Sequence, residues 1–297
     1  MVPFFCINIF CKFRSIKNIQ KVQDKYQPIG VFDSGYGGLT ILKSIMERLP
    51  QYDYIYLGDN ARTPYGSHSF DVVYEYTRQA VMKLFSMGCN LVILACNTAS
   101  AKALRTIQQN DLPLFDPSRR VLGVIRPSVE LIPQYTKTGH VGILGTVGTV
   151  LSKSYPLEIA KFSGDRIIVT QEACPMWVPL VENDETNNPA ADYFVRKNIT
   201  NLCSRDPEID TVILGCTHYP LLLPTINKYL PDNVIVLEQG PIVADSLADY
   251  LVRHPEINQK CSKKGLRHFL TTESAENFET RASMFLGSRL KAEKIHL

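Results

Sequence analysis

From Pro28 onward the chain alternates short, unbroken apolar runs with longer stretches in which apolar residues return every third or fourth position. The runs lie at Ile29 to Phe32, Tyr54 to Leu57, Leu91 to Leu94, Val121 to Ile125, Val141 to Leu144, Ile167 to Thr170, Val212 to Leu214 and Val234 to Leu237. Apolar runs this short, without polar alternation, suit strands covered on both faces, the habit of parallel sheets between helices. Leu39, Leu42, Ile45, Met46 and Leu49 fall three or four apart and predict a helix after the first run. A second helix begins near Phe70, carries Val73, Thr77, Ala80, Val81 and Leu84 on one face, and stops at Gly88. Strand and helix in alternation predict an α/β fold.

Two segments are echoed later in the chain. Ile29-Gly-Val-Phe-Asp-Ser is followed 112 residues on by Val141-Gly-Ile-Leu-Gly-Thr, and Leu91-Val-Ile-Leu-Ala-Cys-Asn-Thr 120 residues on by Thr211-Val-Ile-Leu-Gly-Cys-Thr-His. Strand-to-loop units recurring in the same order at nearly one spacing predict two related α/β halves. Cys96 and Cys216 then stand at equivalent places, just past a strand's carboxyl end, where open α/β sheets keep their ligand chemistry. If the halves face each other, two thiols face one cleft.

Composition narrows the classes. The 297 residues suffice for two domains, and 45% hydrophobic with 21% charged residues is globular, with no apolar tract long enough to span a bilayer. The net charge of +3 is concentrated at the start: Lys12, Arg14, Lys17, Lys21 and Lys25 against Asp24 make +4, leaving −1 for the other 272 residues, so a nucleic-acid-binding surface is not expected. Residues 1–27 match no element of the body and read as an extension, disordered or a product of start-codon choice. They lack the basic start and small-residue cleavage site of a secretory signal. The eight cysteines, at 6, 11, 89, 96, 174, 203, 216 and 261, form no C-x-x-C pair, which argues against structural zinc and for reduced thiols in a cytoplasm.

A thiol has an ordinary pKa near 8.5. Two opposed thiols therefore suit abstraction of a proton from one face of a carbon and its return from the other. Cys89, Cys174 and Cys203 are expected as core residues. Cys96 and Cys216 differ in their polar neighbours, Asn97 with Thr98 and Thr217 with His218, which offer side chains and helix N–H groups to a carboxylate or an ammonium. Asp33 and Ser34 follow the first run in a glycine-rich turn that is neither a dinucleotide fingerprint nor a P-loop. Asp33 serves there as a helix cap or as an ammonium partner, and Tyr65 beside Gly66 as a loop anchor or a ligand-facing hydroxyl.

Taken together, FDSGYGGL, YLGDNARTPYG, LACNTASA and LGCTHYP resemble the glutamate racemases of the cofactor-independent aspartate/glutamate racemase family, enzymes of bacterial peptidoglycan synthesis. The likeness spans Pro28 to the C-terminal helices, and the DSG turn and GCTHYP form are closer to glutamate-specific than to aspartate-specific members. It implies a first domain of 28–121 with 240–297, a second of 122–239, and an active site in the cleft between them. By the same resemblance Cys96 takes the α-proton from D-glutamate and Cys216 from L-glutamate, assisted by Asp33 and His218, with Glu182 of CPMWVPLVEND supporting His218. Substrate contacts would be Asp33, Ser34, Tyr65, Gly66, Asn97, Thr98, Thr217 and His218. No cofactor and no metal are implied. The expected partner is L- or D-glutamate, not nucleic acid or a membrane, and a homodimer is left open. In VLEQGPIVAD an Asp common in the family is Glu238, read as a hinge neighbour.

Two other classes fit the same residues. A cysteine hydrolase or transferase would use one thiol as nucleophile with His218 as base and leave the second thiol inessential. A binding module would use the cleft without chemistry.

Overall fold

A computed structural model describes residues 27–297. The expected N-terminal extension therefore lies outside the described residues, apart from Gln27. Strands, in chain order, are β1 (Ile29–Asp33), β2 (Tyr54–Gly58), β3 (Leu91–Leu94), β4 (Arg120–Gly123), β5 (His140–Gly145), β6 (Ile168–Ala173), β7 (Thr211–Gly215), β8 (Ile235–Leu237), β9 (Arg267–Thr271) and β10 (Ala292–Lys294). They form two sheets, ordered β10-β9-β2-β1-β3-β4 and β6-β5-β7-β8. Every pairing is parallel; Gly30 of β1, for example, lies between Ile55 and Val92.

The sequence echo is a structural repeat. The order β2-β1-β3-β4 in the first sheet is matched by β6-β5-β7-β8 in the second, so β1 corresponds to β5 and β3 to β7, the strands whose sequences echo. In each half the chain leaves the first strand of the repeat, β1 or β5, to one side and later returns on the other. That reversal opens a crevice at the carboxyl ends of the two central strands.

Helices cover both faces. The first predicted helix is α1 (Gly38–Arg48), which buries Leu39, Ile41, Leu42 and Ile45. The second is α2 (Phe70–Ser86), capped by Ser69 and ended at Gly88, whose φ of 97° is left-handed. Its end is a Schellman motif: the amides of Cys89 and Gly88 donate to the carbonyls of Leu84 and Phe85. The remaining helices used below are α3 (Asn97–Lys102), α4 (Ile125–Tyr135), α5 (Val147–Ser152), α6 (Ser154–Ser163), α7 (Trp177–Glu182), α8 (Pro189–Arg205), α9 (Gln239–Arg253) and α10 (Ala275–Leu286). Among the described residues no helix is long and apolar enough to cross a membrane.

Two elements depart from the apolar pattern. The run at Val121 to Ile125 is strand only to Gly123; Val124 and Ile125 are buried at the entry to α4, so apolarity continued through the boundary. β9 and β10 had no apolar run of their own. β9 begins with the half-buried Arg267 and His268, and β10 is the edge strand Ala-Glu-Lys, where polarity guards an unpaired edge.

Candidate active site

The carboxyl ends of β1 and β3 in one sheet, and of β5 and β7 in the other, face a single enclosed space. Ser34, Tyr65, Gly66, Cys96, Asn97 and Thr98 from the first half and Thr146, Cys216, Thr217 and His218 from the second line a cavity of about 120 Å³. That is near the ~150 Å³ known to admit a benzene-sized molecule and well below the ~300 to 1,000 Å³ of drug-sized pockets. A larger hollow of about 790 Å³ is lined by neither cysteine. The chemistry, not the volume, marks the site.

Close approach of the halves depends on glycines at the seam, among them Gly37 and, against the Gly66 carbonyl, Gly148, where a Cβ would lie 2.8 Å from that oxygen. A Cβ on Gly37 would lie 2.2 Å from Thr217 Oγ1 and 2.5 Å from His218 Nδ1, so the glycine-rich turn after β1 can lie flush against the loop after β7. Thr40 Oγ1 in α1 crosses the same seam and donates to the Thr217 carbonyl at 3.1 Å. On the other side of the cavity Thr98 Oγ1 lies 3.0 Å from Thr146 Oγ1, and Thr146 caps α5 by accepting from the Thr149 amide.

Cys96 caps α3. Its Sγ accepts from the Ala99 amide at 3.4 Å and lies 3.4 Å from Ser34 Oγ, with 6% of the residue exposed. Burial, reinforced by the charge of Asp33, pushes the Cys96 thiol up to about 12, against the pull of the Ser34 and Ala99 hydrogen bonds. Asp33 sits behind the cavity, fully enclosed. One oxygen accepts from the Gly35 amide at 2.9 Å, while Oδ1 has no partner among the described residues. Burial raises its carboxyl above the ordinary range, opposed by His218 and by the amides of Gly35 and Gly38. Asp33 is not the cap of α1, a position held by Gly37.

Cys216 has a different escort. Its Sγ lies 3.8 Å from His218 Nδ1, and His218 Nε2 lies 3.0 Å from Glu182 Oε1 at the end of α7. The ring of Phe285 in α10 packs edge-on against the imidazole at 5.3 Å. Burial alone would lower the His218 pKa, but the hydrogen bonds to Cys216 and Glu182, and their charges, lift it to about 10. A protonated imidazole is thus held beside the second thiol at neutral pH. Glu182 stays out of the cysteine cavity and lines an adjoining one with Tyr36, Asn60, Glu273 and Arg281.

Tyr65 borders the cavity, but its hydroxyl is committed elsewhere: it donates to Asp59 Oδ2, which also accepts Arg62 Nε at 2.7 Å. The Tyr65 hydroxyl thus anchors the loop, while its ring and backbone remain at the cavity. Asn97 also spends much of its polarity inside the protein, its Nδ2 donating to Gln239 Oε1 at 2.6 Å and its Oδ1 accepting from Tyr155 OH at 2.8 Å. Thr146, Tyr155 and Gln239 were not singled out from the sequence. Thr146 was within reach, since the echo aligns it with Ser34; Tyr155 carried no signal. Glu238 is exposed and caps nothing, whereas its neighbour Gln239 is buried. Cys89 and Cys174 are core residues and Cys203 is half-buried.

Residues 35–246 match the model of the Asp/Glu/hydantoin racemase family. A glutamate racemase from Roseobacter denitrificans is 41% identical over 273 residues, 89% of this chain and 98% of that relative. Among solved structures, an isoform of glutamate racemase from Bacillus anthracis superposes with a TM-score of 0.83 at 34% identity, covering 92% of this chain and 98% of the other. Glutamate racemase from Francisella tularensis in complex with D-glutamate gives 0.80 at 30% identity, covering 92% and 98%.

Proposed function

We propose, on the premise that the chain belongs to the Asp/Glu/hydantoin racemase family and is a racemase, that it interconverts L- and D-glutamate by proton transfer between two cysteines and supplies D-glutamate for bacterial peptidoglycan in the cytoplasm. The observation that carries this reading is that Cys96 and Cys216, from equivalent strand ends of a repeated fold, line one small cavity with different acid–base escorts. The matching division assigns 28–121 and 240–297 to a first domain and 122–239 to a second. Strands β9 and β10 rejoining the first sheet support a first domain made of two segments, and β4, which closes that sheet, carries its first segment on to Gly123.

From L-glutamate, the Cys216 thiolate takes the α-proton, the C–H electron pair remains on Cα, and the Cys96 S–H gives its proton to the opposite face. The reverse reaction exchanges the roles. A Cys96 thiol held up near 12 is protonated at rest and ready to donate. Bound substrate brings an ammonium, and the buried Asp33 carboxyl, whose Oδ1 has no partner among the described residues, is the group suited to it, the incoming charge favouring its ionised form. Burial is the larger cause of the raised Cys96 pKa, and pairing there offsets the second, the charge of Asp33, which brings that thiol nearer to use as a base. His218 holds a proton 3.8 Å from Cys216 Sγ, and Glu182 keeps it there. Hydroxyls of Ser34, Thr98 and Thr217 and the amides opening α3 can steady a carboxylate while negative charge builds at Cα, in a space small enough to exclude most water. Among the described residues no lysine lines the cavity to form a Schiff base.

The test is optical rotation. Purified enzyme dialysed against chelator and given no pyridoxal phosphate should bring L-glutamate to zero rotation. Persistent rotation with a covalent enzyme–substrate adduct and a dispensable second cysteine would favour a hydrolase or transferase.

A further inference from the structure

Where the chain passes from one sheet to the other and where it returns, three side chains close a ring of hydrogen bonds next to Cys96. Asn97 Nδ2 donates to Gln239 Oε1 at 2.6 Å, Gln239 Nε2 donates to Tyr155 OH at 3.0 Å, and Tyr155 OH donates to Asn97 Oδ1 at 2.8 Å. The directions are forced from outside the ring. Gln239 also faces the carbonyl of Val124 at 3.0 Å, and a carbonyl only accepts, so the amide must turn its NH₂ that way and its oxygen toward Asn97. Asn97 must then present its own NH₂ to Gln239 and its oxygen to Tyr155. Ser128 Oγ donates to Val124 O at 3.1 Å and lies 2.9 Å from Gln239 Nε2, so the two Nε2 hydrogens face three acceptors, Val124 O, Ser128 Oγ and Tyr155 OH, and one hydrogen is shared between two of them. All four side chains are at least 97% buried.

The ring joins four parts of the fold. Val124 and Ser128 lie where the chain leaves β4 for α4, and Gln239 opens α9 where it returns from β8. Tyr155 belongs to α6 of the second half, and Asn97 follows Cys96 and opens α3. One Asn97 Nδ2 hydrogen is left over, on a residue that lines the cavity beside Cys96. The pair formed by His218 and Glu182 at Cys216 shares no hydrogen bond with the ring.

We propose that Gln239, acting with Tyr155, is a positioning residue for the Cys96 face: it sets the Asn97 amide and ties the angle between the halves to the placement of Cys96. This rests on the two-thiol reading above. Displacement of a reacting group by about 1 Å typically costs about 10²-fold in rate, so loss of the ring should slow Cys96 chemistry by tenfold or more and leave Cys216 chemistry little changed.

Glutamate analogues with a leaving group on Cβ test one face at a time, because abstraction of the α-proton from the D or the L form expels the group without a second proton transfer. Tyr155→Phe removes only the hydroxyl and keeps the ring that packs against Gly215. Gln239→Leu removes the amide at similar volume. Each should lower kcat/KM for the D analogue by tenfold to 10²-fold and for the L analogue by less than threefold. The double variant should be no worse than the poorer single variant. Circular dichroism should match wild type for Tyr155→Phe, which carries the test alone if Gln239→Leu aggregates. Equal losses on both analogues, losses under threefold on both, or additive losses in the double variant would overturn the role of Gln239 while wild-type racemisation of glutamate stands. A wild-type enzyme that leaves glutamate unracemised would instead remove the two-thiol reading and this proposal with it.

Discussion

Replacing Glu182 by Gln should lower the pH at which His218 loses its proton by about two units. The wild-type rise from 6.5 to about 10 corresponds, at about 1.36 kcal/mol per unit, to roughly 5 kcal/mol of preference for the imidazolium. Burial works against that preference, so Cys216 and Glu182 supply all of it. The geometry favours Glu182, with Nε2 to Oε1 at 3.0 Å against Nδ1 to Sγ at 3.8 Å. A pair of unit charges at 3 Å in an effective dielectric near 20 interacts by roughly 5 kcal/mol, so assigning about half the net preference to Glu182 is conservative. Gln keeps an oxygen for the hydrogen bond and removes only the charge. The His218 ring titration, followed by NMR, should therefore move from about 10 to about 8, and the alkaline limb of kcat for L-glutamate should move down with it. Stability follows the same sign. A histidine with a raised folded pKa stabilises fully below its unfolded value of 6.5, and the stabilisation is lost as pH rises through about 10. The Tm gap between wild type and Glu182→Gln should be widest near pH 6.5 and close above pH 10. A wild-type His218 that titrates near 6.5, or an alkaline limb unmoved in the variant, would refute the argument.

Cys96→Ser and Cys216→Ser should each reduce racemisation by about 10³-fold or more with far-ultraviolet circular dichroism unchanged, because a hydroxyl of similar size is a far weaker acid and its conjugate base is not populated; substantial turnover by either variant would remove the two-base scheme. His218→Asn should slow solvent deuterium exchange into L-glutamate more than into D-glutamate, and Asp33→Asn the reverse, each by about 10² or more on its own face; equal effects on both faces would make these residues substrate binders or shapers of the cleft. Gly37→Ala places a methyl 2.2 Å from Thr217 Oγ1 and should cut kcat/KM by about 10²-fold by holding the halves apart; near-wild-type kinetics would mean the seam opens without cost.

Much of the site was legible because parallel strands deliver their carboxyl ends to one edge, so that residues close in sequence to the ends of β1, β3 and β7 had to meet. Asp33, Ser34, Cys96, Asn97, Thr98, Cys216, Thr217 and His218 are all of this kind. What was not legible comes from contacts across the two chain crossings. Tyr155 lies inside a helix with no sequence signal, Gln239 follows the exposed Glu238, and each acquires meaning only where α6 and α9 meet Asn97. The choice between two roles for Tyr65 likewise turned on Asp59, buried three-dimensionally beside it but read from sequence as part of a polar loop.

The repeat also explains why the two thiols are not equivalent. Offset by 112 residues, Ser34 corresponds to Thr146 but Asp33 corresponds to Gly145, so the second half has no carboxylate at the end of its first strand. Cys96 has Ser34 within 3.4 Å and the buried charge of Asp33 behind it. Cys216 has Gly145 in the place of that aspartate and takes its acid–base partner from its own loop, His218, anchored by Glu182 on α7. One duplicated scaffold thus presents a thiol raised by burial and by a neighbouring carboxylate on one face and a thiol beside a cation on the other. In the proposed two-thiol scheme, net racemisation traverses both faces in either direction and blends their contributions. The difference between the escorts is therefore carried by single-face proton exchange, where loss of Asp33 and loss of His218 should leave opposite signatures.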